Sequence, residues 1–372
     1  MKRYWYWLTT LDGVGRKRAQ KLLDMCGSPK ELFNTTSDEF KQLLGLVGIS
    51  QEKIQAIINS RKEFNLDSIV NKCTEKNIDM ISIDDERYPS RLKNIYDSPY
   101  IIYVKGKLPD FSRPSIAIVG ARGCSRYGAD ITKIMAKELS SYGIQIISGM
   151  AMGIDKYAHE GALSTGQTFG ILGCGPDVCY PQINIDIYMD IIGKGGIISE
   201  YPPGTKPLKH HFPERNRIIS GLSDGVLVTE ARKESGSLIT ANMGLEQGKN
   251  IYAIPGRITD EYSVGCNELI KAGAKCVISP QDIIEDYNNL ISKREYNMVS
   301  SESTSDVFTE NLLETHEKIV YACLRLSSKH IEEICDETGL EAVTVMNTLV
   351  GLQIKGLIKQ TAMDSYSKAG SI

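Results

Sequence analysis

From residue 1 to about 82, apolar positions such as Leu22, Leu32, Phe40, Leu43, Leu44, Ile54, Ile57 and Ile58 fall three or four residues apart, which predicts amphipathic helices. Two glycine turns interrupt them, Asp12-Gly13-Val14-Gly15 ahead of Arg16–Leu23 and Gly45-Leu46-Val47-Gly48 ahead of Gln51–Asn59. From about 115 to 280 the pattern changes. Short continuous apolar runs at Ile116–Val119, Gln145–Ser148, Thr168–Leu172, Ile197–Ser199, Val226–Thr229, Ile251–Ile254 and Cys276–Ile278 alternate with helical stretches such as Asp130–Leu139. Runs of that kind suit strands buried on both faces, and their alternation with helices predicts a doubly wound, mostly parallel sheet. Residues 83–114, with Tyr88-Pro89 and Ser98-Pro99, form the entry to it. A Ser/Glu/Thr-rich stretch at 292–310 reads as a flexible linker. Beyond it, residues 311–360 predict three helices with a turn at Thr338-Gly339, and 361–372 a frayed end. The expected division is therefore 1–82, 83–291, the linker 292–310, and 311–372.

In an open parallel sheet, ligands sit beyond the carboxyl ends of the strands, where loops turn into helix N-termini. Four such ends are informative. In Val119-Gly120-Ala121-Arg122-Gly123-Cys124-Ser125-Arg126, Gly120 permits a sharp turn, the amides that follow can meet an anion, and Arg122 and Arg126 add fixed positive charge. Ser148-Gly149 opens a second elbow, leading to Asp155 and His159 at i, i+4. That pair suits two metal ligands or a structural hydrogen-bonded pair, and no third ligand is in view. The third end continues from Ser199-Glu200-Tyr201-Pro202-Pro203-Gly204 to Lys209-His210-His211-Phe212-Pro213-Glu214-Arg215-Asn216-Arg217. It reads as a Pro-flanked cationic loop in which arginines grip phosphates and Phe212 either stacks on an unpaired base or packs in the core. The fourth, Ser235-Gly236-Ser237, is a phosphate cradle or an ordinary helix cap. Several elbows on one sheet edge favour a polyanion. In the N-terminal region, the two glycine turns have the pattern of helix-hairpin-helix units, or of simple tight connections between helices.

Composition narrows the classes. The chain has 372 residues, 43 Lys+Arg against 46 Asp+Glu, and 41% hydrophobic residues, which excludes a disordered chain and a uniformly basic coat. Nine cysteines, scattered without paired zinc-type spacing, read as reduced thiols of a cytoplasmic protein. The start Met-Lys-Arg-Tyr-Trp-Tyr-Trp-Leu lacks the apolar run of a signal peptide, and no stretch approaches a membrane span. A dinucleotide fingerprint fails because Arg122 stands where its second glycine belongs. A P-loop around Gly248-Lys249 fails because Met243 stands at its first-glycine position and Asn250 at its Ser/Thr position.

The motifs Val119–Arg122, Ser148–Asp155 with Ala158-His159, Ser199–Gly204, Phe212–Leu222, Ser235–Ala241 and Pro255-Gly256, in that order, resemble the DNA-processing protein A family (DprA, or Smf) of bacterial transformation, strongly over about 88–280. The resemblance implies a non-enzymatic protein with an extended Rossmann-like core that binds single-stranded DNA, protects incoming DNA, loads the RecA recombinase and acts as a homodimer. It assigns the DNA pocket to Gly120, Ala121 and Arg122, to Lys209 and Phe212, and to Arg215, Asn216 and Arg217. Many members carry Gly-Ser-Arg where this chain has Gly-Ala-Arg. The resemblance also implies an N-terminal domain like a helix-hairpin-helix or sterile-alpha-motif fold and a C-terminal domain like a winged helix. The C-terminal stretch departs from a DNA reader: Glu332, Glu333, Asp336, Glu337 and Glu341 outnumber Lys329, Lys355 and Lys359, and Glu341–Leu352 has no Lys or Arg. It reads as a protein-contact module. The competing class is a nucleotide-ribose hydrolase with Glu230 or Glu234 as the acid, although the Pro-Gly-Gly-x-Gly-Thr loop of such enzymes is missing.

Overall fold

The computed structural model describes residues 1–291, 315–324, 328–355 and 357–368. The expected linker 292–310 and Ser327 lie outside the described residues.

Six helices open the chain: α1 (Lys2–Thr9), α2 (Arg16–Cys26), α3 (Pro29–Asn34), α4 (Ser37–Leu46), α5 (Gln51–Glu63) and α6 (Ser68–Glu75). Both glycine turns are formed, with Gly13 and Gly48 at φ +75° and +77°. Arg18 donates to the carbonyls of Gly13, Val47 and Gly48 and so ties one turn to the other.

The sheet is nine-stranded, in the order β1-β2-β6-β5-β4-β3-β7-β8-β9. Its strands are β1 (Asp79–Ser82), β2 (Ile101–Gly106), β3 (Ser115–Val119), β4 (Gln145–Ser148), β5 (Thr168–Leu172), β6 (Gly196–Ser199), β7 (Gly225–Val228), β8 (Asn250–Ala253) and β9 (Lys275–Cys276). From β6 through β9 neighbouring strands pair parallel, while β1 and β2 join as an antiparallel flank on β6. Every residue of β3, β4, β5, β6 and β7 is buried, because helices cover both faces. Those helices are α7 (Ser90–Lys93), α8 (Arg126–Ser141), α9 (Ile154–Leu163), α10 (Ile185–Lys194), α11 (His211–Leu222), α12 (Gly236–Glu246), α13 (Val264–Lys271) and α14 (Gln281–Ile284).

The runs read as strands from β3 onward agree with the structure to within about two residues at each end, the usual looseness of strand ends. β1 and β2 were not foreseen. Their residues fall at the end of the helical region and inside the entry segment, and Ile101–Val104 is an apolar run that only its antiparallel partners identify as a strand. Met80, Tyr100, Ile101 and Tyr103 share a core with Trp5, Leu22, Phe40 and Ile54, so the N-terminal helices pack directly on this flank.

Past the undescribed stretch come α15 (Thr315–Cys323), α16 (Ile331–Thr338) and α17 (Ala342–Ile354) around a small sheet of β10 (Lys329–His330), β11 (Ile358–Ala362) and β12 (Ser365–Lys368). Gly339 ends α16 in the left-handed conformation at φ +67°, as the Thr338-Gly339 turn predicted. Residues 358–368 form a hairpin where a frayed end was expected: Ile358 is buried and Ser367 pairs with Lys359.

Candidate functional site

The strand order reverses at β3, because β4, β5 and β6 run off on one side of it and β7, β8 and β9 on the other. A crevice opens at such a switch point, outside the carboxyl ends of the strands. Here it is a groove of about 570 Å³, and Gly120, Arg122, Lys209, Phe212, Asn216 and Gly236 all line it. They come from the β3–α8 loop, the segment entering α11, and the start of α12.

Two glycines let the loops close together. A Cβ on Gly120 would stand 2.6 Å from the Ile154 side chain and 2.8 Å from the Glu230 carbonyl. Gly153, at φ +75°, would place one 2.3 Å from the Ala121 carbonyl and 2.4 Å from that of Arg122. The two elbows are thus seated on each other, and the Ile154 amide donates to the Ala121 carbonyl at 3.2 Å.

Arg122 is exposed, and no ion pair or hydrogen bond holds it among the described residues; its guanidinium lies 5.8 Å from the centroid of the Phe212 ring. Lys209 is likewise exposed and without an ion-pair partner among the described residues. Phe212 is half-buried with one face toward the groove, and the Tyr180 ring stands 5.5 Å from it. Tyr180 is 46% exposed and lines the same groove. The sequence reading missed it. Its signal was an aromatic residue in the Cys179-Tyr180-Pro181 turn, on the loop after β5 and hence on the same strand-end rim. Ser235 and Ser237 also line the groove, but their hydroxyls pair with each other at 2.8 Å and Ser235 accepts from the Ser237 amide, as an ordinary helix cap does.

The remaining expected residues are placed elsewhere or spent on other partners. The segment read as a cationic loop is helical from His211 onward, with Pro213 in the first turn, where a missing N–H costs nothing. Residues two apart on a helix point in nearly opposite directions, about 200° apart, so Arg215 and Arg217 cannot face one ligand. Arg215 turns inward. It is buried, donates to the carbonyls of Gly149 (2.6 Å) and Ile171, and lines the groove with its guanidinium engaged by those carbonyls. Burial draws its pKa down to about 10. Arg217 faces away from the groove, donating to Asp97 at 3.0 Å and to Glu200 at 2.5 Å. Ser148 is buried with its hydroxyl donating to the Ile118 carbonyl at 2.7 Å, and the Gly149 amide donates to the Asp155 carboxylate at 3.1 Å. The Ala121 amide, expected to meet an anion, donates to the Glu230 carbonyl at 2.8 Å. Arg126 is exposed at the start of α8 but is not among the residues lining the groove.

Asp155 and His159 direct their polar atoms to different partners. The Asp155 carboxylate accepts from the Gly149 and Ala151 amides, and burial raises its pKa against the pull of Arg215. His159 Nδ1 pairs with Thr168 Oγ1 at 2.7 Å; that hydroxyl donates onward to the Ile146 carbonyl, so Nδ1 carries the proton and donates. Among the described residues no group of three His, Cys, Asp or Glu side chains is arranged to hold a metal ion. Of the two acids of the hydrolase reading, Glu230 accepts from the Ser125 amide at 2.8 Å and from the Ser125 hydroxyl, and so braces the N-terminus of α8, while Glu234 is exposed and is not among the residues lining the groove. No helix among the described residues is long and apolar enough to cross a membrane.

Residues 79–288 match the family described as DNA recombination-mediator protein A. The chain is 46% identical over 208 residues to the DNA processing protein DprA of Streptococcus pneumoniae, covering 55% of this chain and 73% of that one. It is 30% identical over 395 residues to the protein Smf of Synechocystis, covering 98% of each. The crystal structure of the Streptococcus pneumoniae protein superposes with a TM-score of 0.67 at 36% identity, over 77% of this chain and 97% of that one. A solved structure of DNA processing protein A from Helicobacter pylori, described for its single-stranded DNA binding mode, superposes with a TM-score of 0.52 at 29% identity, over 58% of this chain and 97% of that one.

Proposed function

Because the chain belongs to the DNA recombination-mediator protein A family, we propose that it binds single-stranded DNA along the groove at the β3 switch point and delivers that strand to the RecA recombinase during transformation or recombination. In this reading Arg122 and Lys209 hold phosphates and Phe212 stacks on a base, with Gly120 and Gly236 allowing close approach. The observation that carries it is the meeting, in one groove, of a half-exposed ring with two cations that have no ion-pair partner among the described residues. Cations that track a backbone, joined to aromatic faces that accept any base, suit an unpaired strand of arbitrary sequence. Arg126 sits where it steers the strand electrostatically without lining the groove. The protein acts in the cytoplasm as a homodimer, shields the strand from nucleases, and uses its C-terminal region, whose described residues form three helices and a small sheet in the manner of a winged helix, for protein contacts. The family's description as a recombination mediator supports a binding role over hydrolysis of a nucleotide, and Glu230 is occupied by its loop contacts.

The test is a titration with short oligonucleotides, single and double stranded, at two salt concentrations, with molecular mass measured in the same buffer. Single strands should bind regardless of sequence, with a log–log salt slope of about −0.7 per phosphate held. Arg122→Ala combined with Lys209→Glu should abolish most of that binding. Full binding by the double variant removes the groove from consideration.

A further inference from the structure

A second and larger depression, about 1140 Å³, lies between α2 and the α11–α12 pair, and no part of the groove reading uses it. We propose that a single strand longer than the groove crosses the start of α11 and continues into this cleft, where Tyr96 stacks on a base and Lys17 and Lys21 hold phosphates. The inference rests on the single-strand reading of the groove.

The two depressions are adjoining. Pro213 lines both; Phe212 and Asn216 face the groove, and Glu214 and Arg217 face the cleft. Along α12 the groove takes Ser237 and Thr240, and the cleft takes Met243 and Gln247, the next turns of the same helix. At about 1.5 Å of rise per residue, a strand leaving one meets the other within about 10 Å.

The chemistry of the cleft repeats that of the groove. Tyr96 is 88% exposed on its wall, the highest exposure of any tyrosine among the described residues, and its ring packs on no other ring there. A large aromatic face left in water beside cations is a stacking platform. The arginines of the cleft are already engaged, Arg16 and Arg217 with Asp97 and Arg18 with the carbonyls of the glycine turns. Lys17 and Lys21 are exposed at i, i+4 on one face of α2, and neither has an ion-pair partner among the described residues. Of the acids, Glu214 accepts from the Tyr201 hydroxyl, and Glu246 stands exposed at the rim, where it opposes a phosphate chain.

The experiment measures binding of the full chain to oligothymidylates of about 6 and about 15 nucleotides by fluorescence anisotropy, within the site sizes common for such proteins. The wild type should bind the longer strand more tightly and with a steeper salt slope. Lys17→Gln with Lys21→Gln should weaken the longer strand about fivefold and flatten its slope by about 1.4, leaving the shorter one unchanged. Tyr96→Ala should weaken the longer strand about tenfold without altering the salt slope. Glu246→Gln should tighten it, which a merely structural role for that exposed residue does not produce. All four positions are on the surface, and thermal melting verifies the fold of each variant. Equal wild-type affinity for both lengths, equal losses at both lengths in the variants, or a preference of the cleft variants' lost binding for duplex overturns the cleft. Absence of salt-sensitive binding to the shorter strand overturns the groove reading itself.

Discussion

Two arginines on one helix show how little a residue's chemistry says about its task. Arg215 and Arg217 have the same guanidinium, yet Arg215 ties the ends of β4 and β5 together while Arg217 holds Glu200 and Asp97 on the opposite side. Glu200 and Arg217 are each 14% exposed at the side chain, so removing one strands the other in a poorly hydrated setting. Arg217→Ala should therefore lower unfolding free energy by about 3–5 kcal/mol in urea titration, while the fraction that stays folded keeps its affinity for a short oligonucleotide. Arg122→Ala should do the reverse, leaving the urea midpoint nearly unmoved and weakening strands of every sequence alike. His159 belongs to the same scale. Burial, with Arg215 adding to it, lowers its pKa from 6.5 to about 3. The unfolded chain takes up that proton near pH 6.5 and the folded chain only near pH 3, so the stabilisation is full above the unfolded value and is lost as pH falls through this window. The loss is at most about 1.4 kcal/mol per pH unit. Urea midpoints at about pH 7 and about pH 4.5 should fall further for the wild type than for His159→Gln.

At the scale of elements, the strands from β3 to β9 were legible, and the flanking pair β1–β2 and the site helix were not. Continuous apolar runs such as Ile116–Val119 admit a single reading once helices flank them, because only a sheet covered on both faces buries every side chain. The segment 209–217 misled because a run of cations flanked by prolines reads as a loop. Only packing of Ile218, Ile219 and Leu222 into the core makes it a helix and sends Arg217 away from the groove. The elbows carry a prediction of their own. Gly153→Ala would press a methyl group against the Ala121 and Arg122 carbonyls in a conformation that L residues rarely adopt. It should cost about 1–3 kcal/mol of stability, measured by thermal melting, and reduce single-strand affinity by displacing Arg122 although it touches no ligand.

For the whole molecule, the N-terminal helices are part of the sheet's support. Trp5, Leu22 and Phe40 cover the flank that Met80, Ile101 and Tyr103 present. Deleting residues 1–78 should expose that flank and yield a chain that melts earlier and aggregates, read by light scattering during a thermal scan. The C-terminal region also touches a helix that covers the sheet, where Lys359 pairs with Asp130 of α8 at 2.6 Å. That pair joins two partly exposed side chains, so breaking it with Lys359→Ala should change stability by no more than about 1 kcal/mol.

The order of apolar runs and glycine turns determined that a parallel sheet forms and that its loops gather on one rim, because burial and backbone sterics act through neighbours in sequence. It also marked Gly120, Arg122, Lys209 and Phe212, which the tertiary structure brings together along one groove. Which cations remain free was decided by the tertiary structure alone. Ion pairs such as Arg217 with Glu200, the spent amides of Ala121 and Gly149, and the approach of Tyr180 to Phe212 depend on atoms far apart in the chain, and no local pattern encodes those distances.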